Sequence, residues 1–241
     1  MKKFILPFLV LTALWSCDEG ASQEKNVVKE EINQVVDGKK EGLHVIRKED
    51  GSIRNEIRYE NGQRSGISTD FYDSGERRMD ISYVNGIKSG NVTWYHKNGK
   101  VYRVNPYVDG YVQGVQTKFY ENGQQMSELE FFQDSPGIGL REWERSGKIK
   151  KFKTDLVAKR KGSLVQVELA SKKQKVSYYL GQLKDDKFMN IGLEDVTIGG
   201  GVGEFNIDEF KGKSSINIIV KYLSYNKNPI IFVGTIKKSE L

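Results

Sequence analysis

The sequence predicts an all-β protein: an elongated antiparallel meander of five 24-residue β-hairpin repeats, followed by a small C-terminal β domain. Three observations carry this expectation. Glycines recur at a fixed interval, Asn-Gly and Asp-Gly pairs mark tight turns, and apolar, β-rich runs fill the last third of the chain. Composition permits it: 241 residues, 37% hydrophobic and 29% charged, can bury a core and fit neither a disordered chain nor a multi-span membrane protein. One Cys and 2 His exclude a disulfide framework and leave little for a zinc site.

The first residues read as an address. Lys2 and Lys3 precede the apolar run Phe4 to Trp15, too short for a membrane span of about 20 residues but suited to an export signal over 1–16. Leu14-Trp15-Ser16-Cys17 resembles a bacterial lipobox, with Trp15 departing from the usual small or β-branched residue. The resemblance implies that Cys17 becomes the acylated N-terminus of a lipid-anchored protein, held by about 0.8 kcal/mol per buried CH₂. Asp18 and Glu19 are similar to the surface-export signal of Bacteroidetes lipoproteins; in an enterobacterial setting Asp18 would instead imply inner-membrane retention. Residues 17–37 form an acidic tether. Within it Val28, Ile32, Val35 and Val36 fall near one helical face, so a short helix over 24–36 is expected.

From residue 38 the glycines keep strict time. Gly38, Gly62, Gly86 and Gly110 form one column, and Gly42, Gly66, Gly90 and Gly114 a second. Gly51, Gly75, Gly99, Gly123 and Gly147 form a third, every step being 24 residues. Aromatics follow: Tyr59, Tyr83, Tyr107 and Phe131, then Phe71, Tyr95, Phe119 and Trp143. Each unit is two strands and two turns, because Asn-Gly and Asp-Gly supply the positive φ that hairpin turns need. Alternation groups Ile67, Thr69 and Phe71 with Met79, Ile81 and Tyr83, and Val115 and Phe119 with Leu129 and Phe131. Arg54, Glu56, Arg58, Asp80, Glu128 and Glu130 fall on a solvated face.

The third unit departs from this grouping. Val92, Trp94, Tyr102 and Val104 fall on the face that is polar elsewhere, with His96 alongside in the position that Tyr72 and Tyr120 fill. Two readings stay open: cover by another part of the chain, such as 24–36, or a binding surface for a partner.

Gly-x-x-x-Gly with paired aromatics and a second Gly turn resembles the bacterial variant of the MORN repeat. Tyr-Glu-Asn-Gly (59–62 and 120–123) and Trp-Tyr-His-Lys-Asn-Gly (94–99) are its typical wording. The resemblance covers about 38–147 and implies a single-layer β-meander that scaffolds or binds. Many bacterial relatives carry a YwqK-type antitoxin label, which implies toxin neutralisation as an alternative. The family brings no active site to map.

Past the repeats, residues 148–241 hold 18 basic and 10 acidic residues. The repeat sheet is expected over 38–157 and a sandwich-like or capping β domain over 158–241, with strands at Leu164–Leu169, Val176–Leu180, Phe205–Ile207, Ile216–Tyr222 and Ile230–Ile236. The basic seam 148–161 reads as a solvated strand and linker, with anionic lipid as the alternative. Gly199-Gly200-Gly201-Val202-Gly203 lacks the Gly-Lys-Ser/Thr ending of a phosphate loop and reads as a bend. No nucleophile elbow or carboxylate pair supports catalysis. The expectation is a non-enzymatic envelope lipoprotein of the outer membrane. It takes no cofactor and no nucleic acid, meets the bilayer through Cys17, and binds an unknown protein or envelope component.

Overall fold

The computed structural model describes residues 29–32, 34–173 and 175–241. The expected signal, Cys17 and the tether up to residue 28 lie outside them. The chain folds as two β units joined at one end of an antiparallel meander.

The long strands of the first sheet are β1 (Lys29–Ile32), β2 (Gly42–Arg47), β3 (Ile53–Glu60), β4 (Gly66–Phe71), β5 (Arg77–Val84), β6 (Ile87–Tyr95), β7 (Val101–Val108), β8 (Gly114–Phe119) and β9 (Gln125–Phe132). Each is a hydrogen-bonded, antiparallel neighbour of the next. The two turns of each repeat differ. At Asp37-Gly38, Asn61-Gly62, Asn85-Gly86 and Asp109-Gly110 both residues have positive φ, 49–52° and then 74–86°. This is the two-residue turn whose twist matches the strands. At the other turn only the glycine is left-handed, and its N–H bonds three residues back, as in Gly75 N to Tyr72 O at 3.0 Å and Gly99 N to His96 O at 2.9 Å.

That second turn is followed by a register shift in the first four repeats, at Ile46/Arg47, Asp70/Phe71, Val101/Arg103 and Lys118/Phe119. An unpaired residue there displaces the alternation by one. The face grouping read from sequence is corrected accordingly. Ser68 pairs with Ile81 and Gly66 with Tyr83, so Ile67 and Thr69 face away from Met79, Ile81 and Tyr83. Val115 likewise pairs with Glu130, opposite to Leu129 and Phe131.

The expected helix over 24–36 is also corrected. Its described part is extended: β1 pairs with β2 through Lys29↔Arg47 to Ile32↔His44, and Val35–Val36 pairs with Lys39–Lys40. An open array exposes a strand edge, and extended chain satisfies that edge where a helix would leave it bare. The segment therefore lies on the first repeat and does not cover the third. The fifth repeat thins to the short strand Arg141–Glu142 beside β9 and a bridge between Trp143 and Ile149.

The C-terminal unit is a sandwich. One sheet orders β10 (Leu156–Lys161), β11 (Leu164–Leu169), β14 (Val202–Asn206) and β13 (Thr197–Gly199). The other orders the pair Glu194–Asp195, β12 (Val176–Leu180), β15 (Ser215–Leu223) and β16 (Pro229–Lys237). β10 crosses the expected 157/158 boundary, because Lys159, Arg160 and Lys161 are exposed and break the apolar pattern of an edge strand. Val165, Val167, Phe205, Ile216, Ile218 and Val220 pack between the sheets. The glycine run is the β13–β14 turn, with Gly199, Gly200 and Gly201 all at positive φ.

Tyr178 is the pivot of this core. Its ring is fully buried, and Gly203 lets it approach so closely that a Cβ there would sit 2.7 Å from Tyr178 Cβ. Its hydroxyl donates to Gly201 O at 2.8 Å and accepts from Leu169 N at 3.0 Å. Tyr178→Phe leaves two buried backbone groups unpartnered, and chemical denaturation should show a loss of about 1–3 kcal/mol.

Candidate functional site

One face of the repeat sheet carries the side chains that a ligand could use. In each repeat a left-handed glycine pairs directly with an aromatic: Gly42↔Tyr59, Gly66↔Tyr83, Gly90↔Tyr107 and Gly114↔Phe131. The missing side chain leaves room for the ring, and the result is a row of rings along one side of the face. Cations two residues before the glycine lie over three of them. Lys40 Nζ is 5.2 Å from the Tyr59 centroid, the Arg64 guanidinium 5.4 Å from Tyr83, and Lys88 Nζ 5.3 Å from Tyr107. Arg64 also donates to the Tyr83 hydroxyl at 3.1 Å. The period of 24 residues is thus a period of cation–ring pairs, each worth about 0.5–1 kcal/mol.

A parallel row crosses the same face through cross-strand partners: Asn55, Asp70, Met79, Trp94, Arg103, Lys118, Ser127 and Glu142. The Arg103 guanidinium stacks 3.8 Å from the Trp94 centroid. Burial pulls Arg103 below its ordinary basicity. Its Nε is buried with no hydrogen-bond partner among the described residues.

The C-terminal unit takes the far end of this row. Glu142 is fully buried; its Oε1 accepts from Ser224 Oγ and Asn228 Nδ2, both at 2.5 Å, and its Oε2 accepts from Asn226 Nδ2 at 3.2 Å. Lys118 Nζ donates to Asn228 Oδ1 at 2.5 Å, and Lys150 Nζ lies 3.4 Å from Glu142. These partners come from the β15–β16 turn. On the opposite face the loop before β13 grips the same end. Ile138 N donates to Lys187 O at 2.9 Å, Lys187 pairs with Glu130, and the Phe132 and Phe188 rings lie 5.7 Å apart. A notch of about 230 Å³ opens there beside Val115, Ile138 and Arg141. Its charges are already matched, Arg141 to Glu128 and Lys187 to Glu130.

The structure divides the side chains expected to form one surface. Val92 and Trp94 pair with Ile81 and Met79, on the ring-bearing face, whereas Val104 pairs with Thr93 and Thr117 on the other. Val92 is 1% exposed and serves as core. His96 Nε2 donates to Phe119 O at 3.0 Å, the bond that Tyr72 makes to Tyr95 O and Tyr120 to Trp143 O. It joins repeats, and Tyr102 packs edge-on against it at 5.1 Å. Trp94 alone of the five lies in the row with unmatched charge. Arg64, Lys88, Arg103, Lys118 and Glu142 were missed; the 24-residue columns 40/64/88 and 94/118/142 held the signal for all but Arg103, whose equivalents are Met79 and Ser127. Among the described residues, no group of three or more His, Cys, Asp or Glu side chains could hold a metal ion.

Comparison with known families finds a MORN repeat variant at residues 88–109 and 112–133. MORN repeats are common in binding or scaffolding proteins. Comparison with curated proteins gave no match.

The lysine in the buried network has a titration signature. Burial, and then the neighbouring Arg103, hold Lys118 below its ordinary 10.5, against the pull of Glu142. The unfolded chain then binds more protons in the alkaline range just below 10.5, so this group makes stability rise as pH increases there. Subtracting the profile of Lys118→Met from that of the parent should reveal the rise. Glu142→Ala, which removes the buried acceptor of Ser224 and Asn228 and the partner of Lys150, should cost about 3–5 kcal/mol in chemical denaturation.

Proposed function

We propose that this protein is a lipid-anchored envelope protein whose repeat sheet binds another protein without catalysis. The observation that supports this best is the ring-bearing face. Arg64, Lys88 and Arg103 sit there over aromatic rings, held on a continuous sheet, and none is paired with a carboxylate among the described residues. Such a surface recognises by contact. The anchor reading rests on Lys2, Lys3, the apolar run and Cys17, and Asp18-Glu19 favours the outer membrane with the sheet exposed at the surface. Among the described residues no helix is long and apolar enough to cross a membrane. The rival reading is an antitoxin or immunity protein that neutralises a toxin through the same face. It draws on the resemblance of Tyr-Glu-Asn-Gly (59–62 and 120–123) to that family's repeats.

Two measurements test the proposal. Cys17→Ser should move the protein from the detergent phase to the aqueous phase when envelopes are partitioned. Affinity capture from solubilised envelopes should recover a partner with the parent chain and lose it with Trp94→Ala plus Arg103→Ala. Glu56→Ala plus Arg58→Ala, on the opposite face, should retain it. Capture indifferent to both pairs would overturn the proposal.

A further inference from the structure

The cations of the ring-bearing face have a spacing as well as a sign. Arg64 and Lys88 occupy one repeat position, and Arg103 lies one strand beyond Lys88 in the adjoining row. Among the described strand residues the carboxylates of this face are Glu30, on the edge strand opposite Ile46, and Asp70 and Glu142, the last two of which are engaged. Asp70 accepts from Asn55 and from Arg78 Nη2 at 3.0 Å, and Glu142 belongs to the docking network. No carboxylate pairs with Arg64, Lys88 or Arg103 among the described residues. On the opposite face, by contrast, Arg141 meets Glu128, Lys187 meets Glu130 and Arg77 meets Asp80. Arg64, Lys88 and Arg103 thus share one face with no carboxylate partner among the described residues.

Equivalent positions in consecutive repeats lie two strands apart, about 9.6 Å along the sheet. A polyproline II peptide advances about 3.1 Å per residue with three residues per turn, so every third side chain falls on one side, about 9.3 Å apart. We propose that this face binds an acidic peptide segment of a partner protein in polyproline II form, with carboxylates three residues apart meeting Arg64 and Lys88 of successive repeats and Arg103 adding positive charge from the adjoining row. This rests on the binding role proposed above and names the chemistry of the partner. A peptide is favoured over an acidic glycan because sugar rings are bound by stacking on open aromatic faces. Here Tyr83, Tyr107 and Trp94 are already covered by Arg64, Lys88 and Arg103. Arg64 is exposed and Lys88 and Arg103 are half-buried, so the face presents cationic groups, which suit a carboxylate, more than open rings.

Fluorescence anisotropy of the full chain with three labelled peptides of equal length tests this. One carries Glu at every third position between Ser residues, one carries the same Glu residues in a block, and one carries Gln in their place. The every-third peptide should bind most tightly, the Gln peptide not detectably, and salt should weaken binding. Arg64→Gln/Lys88→Gln/Arg103→Gln should lose about tenfold or more in affinity with its circular dichroism spectrum unchanged. Equal binding of the block peptide, full binding by the triple variant, or tighter binding of polygalacturonate than of any peptide would overturn the proposal. If the peptides fail while envelope capture still depends on Trp94 and Arg103, the acidic-peptide reading falls and the binding role stands.

Discussion

The structure depends on a glycine in left-handed conformation placed directly opposite an aromatic ring, once per repeat. At Gly66 and Gly90, φ is 72° and 88°, a region where an L side chain costs about 1–2 kcal/mol. The same absence of a side chain lets Tyr83 and Tyr107 lie across the neighbouring strand. Tyr59, Tyr83 and Tyr107 each receive a cation from the segment just before the glycine, and Gly62, Gly86 and Gly110 bond back one repeat, as in Gly86 N to Arg64 O at 2.8 Å. Repeats therefore touch only their neighbours, and stability accumulates along one dimension.

That regularity is what makes exceptions informative. The column Ile46, Asp70, Trp94, Lys118, Glu142 sits on one face at one height, yet its members do different work. Ile46 lies beside the strand that closes the first edge, and Trp94 carries Arg103. Lys118 and Glu142 bind the sandwich through Asn228 and Ser224. The sandwich grips both faces of the terminal strands, which ends the open ladder and fixes how the ring-bearing face is presented. Such a buried polar junction costs desolvation and gives orientation in return, because each atom is satisfied by one arrangement.

Much of this was legible in the sequence, and the illegible part has definite causes. Turn chemistry is local, so Asn61-Gly62 or Asn85-Gly86 announces itself, and the strands of the sandwich appear as apolar runs bounded by polar ones. The faces were misread because the turn at Gly75 or Gly99 adds a residue that alternation alone does not reveal. A shift of one residue exchanged the partners of Ile67 and Val104. The helix over 24–36 was inferred from spacing, whereas pairing with His44 to Arg47 decides the extended form. The docking network joins Lys118 to Asn228 across 110 residues, and no local pattern links them. The cation–ring row was in plain view as columns, but its meaning needed the register that brings Arg64 beside Tyr83.

Hydrogen exchange on the full chain, parent against Gly90→Ala, tests the glycine–ring pairing most directly. A methyl group there would face Ser82 Cβ at 3.4 Å in a backbone conformation that alanine resists. The expected result is faster exchange across β5, β6 and β7, spreading to the flanking repeats and leaving the amides of β12 and β15 in the sandwich unchanged. Protection of β5 to β7 indistinguishable from that of the parent would contradict the claim that this pair holds the sheet.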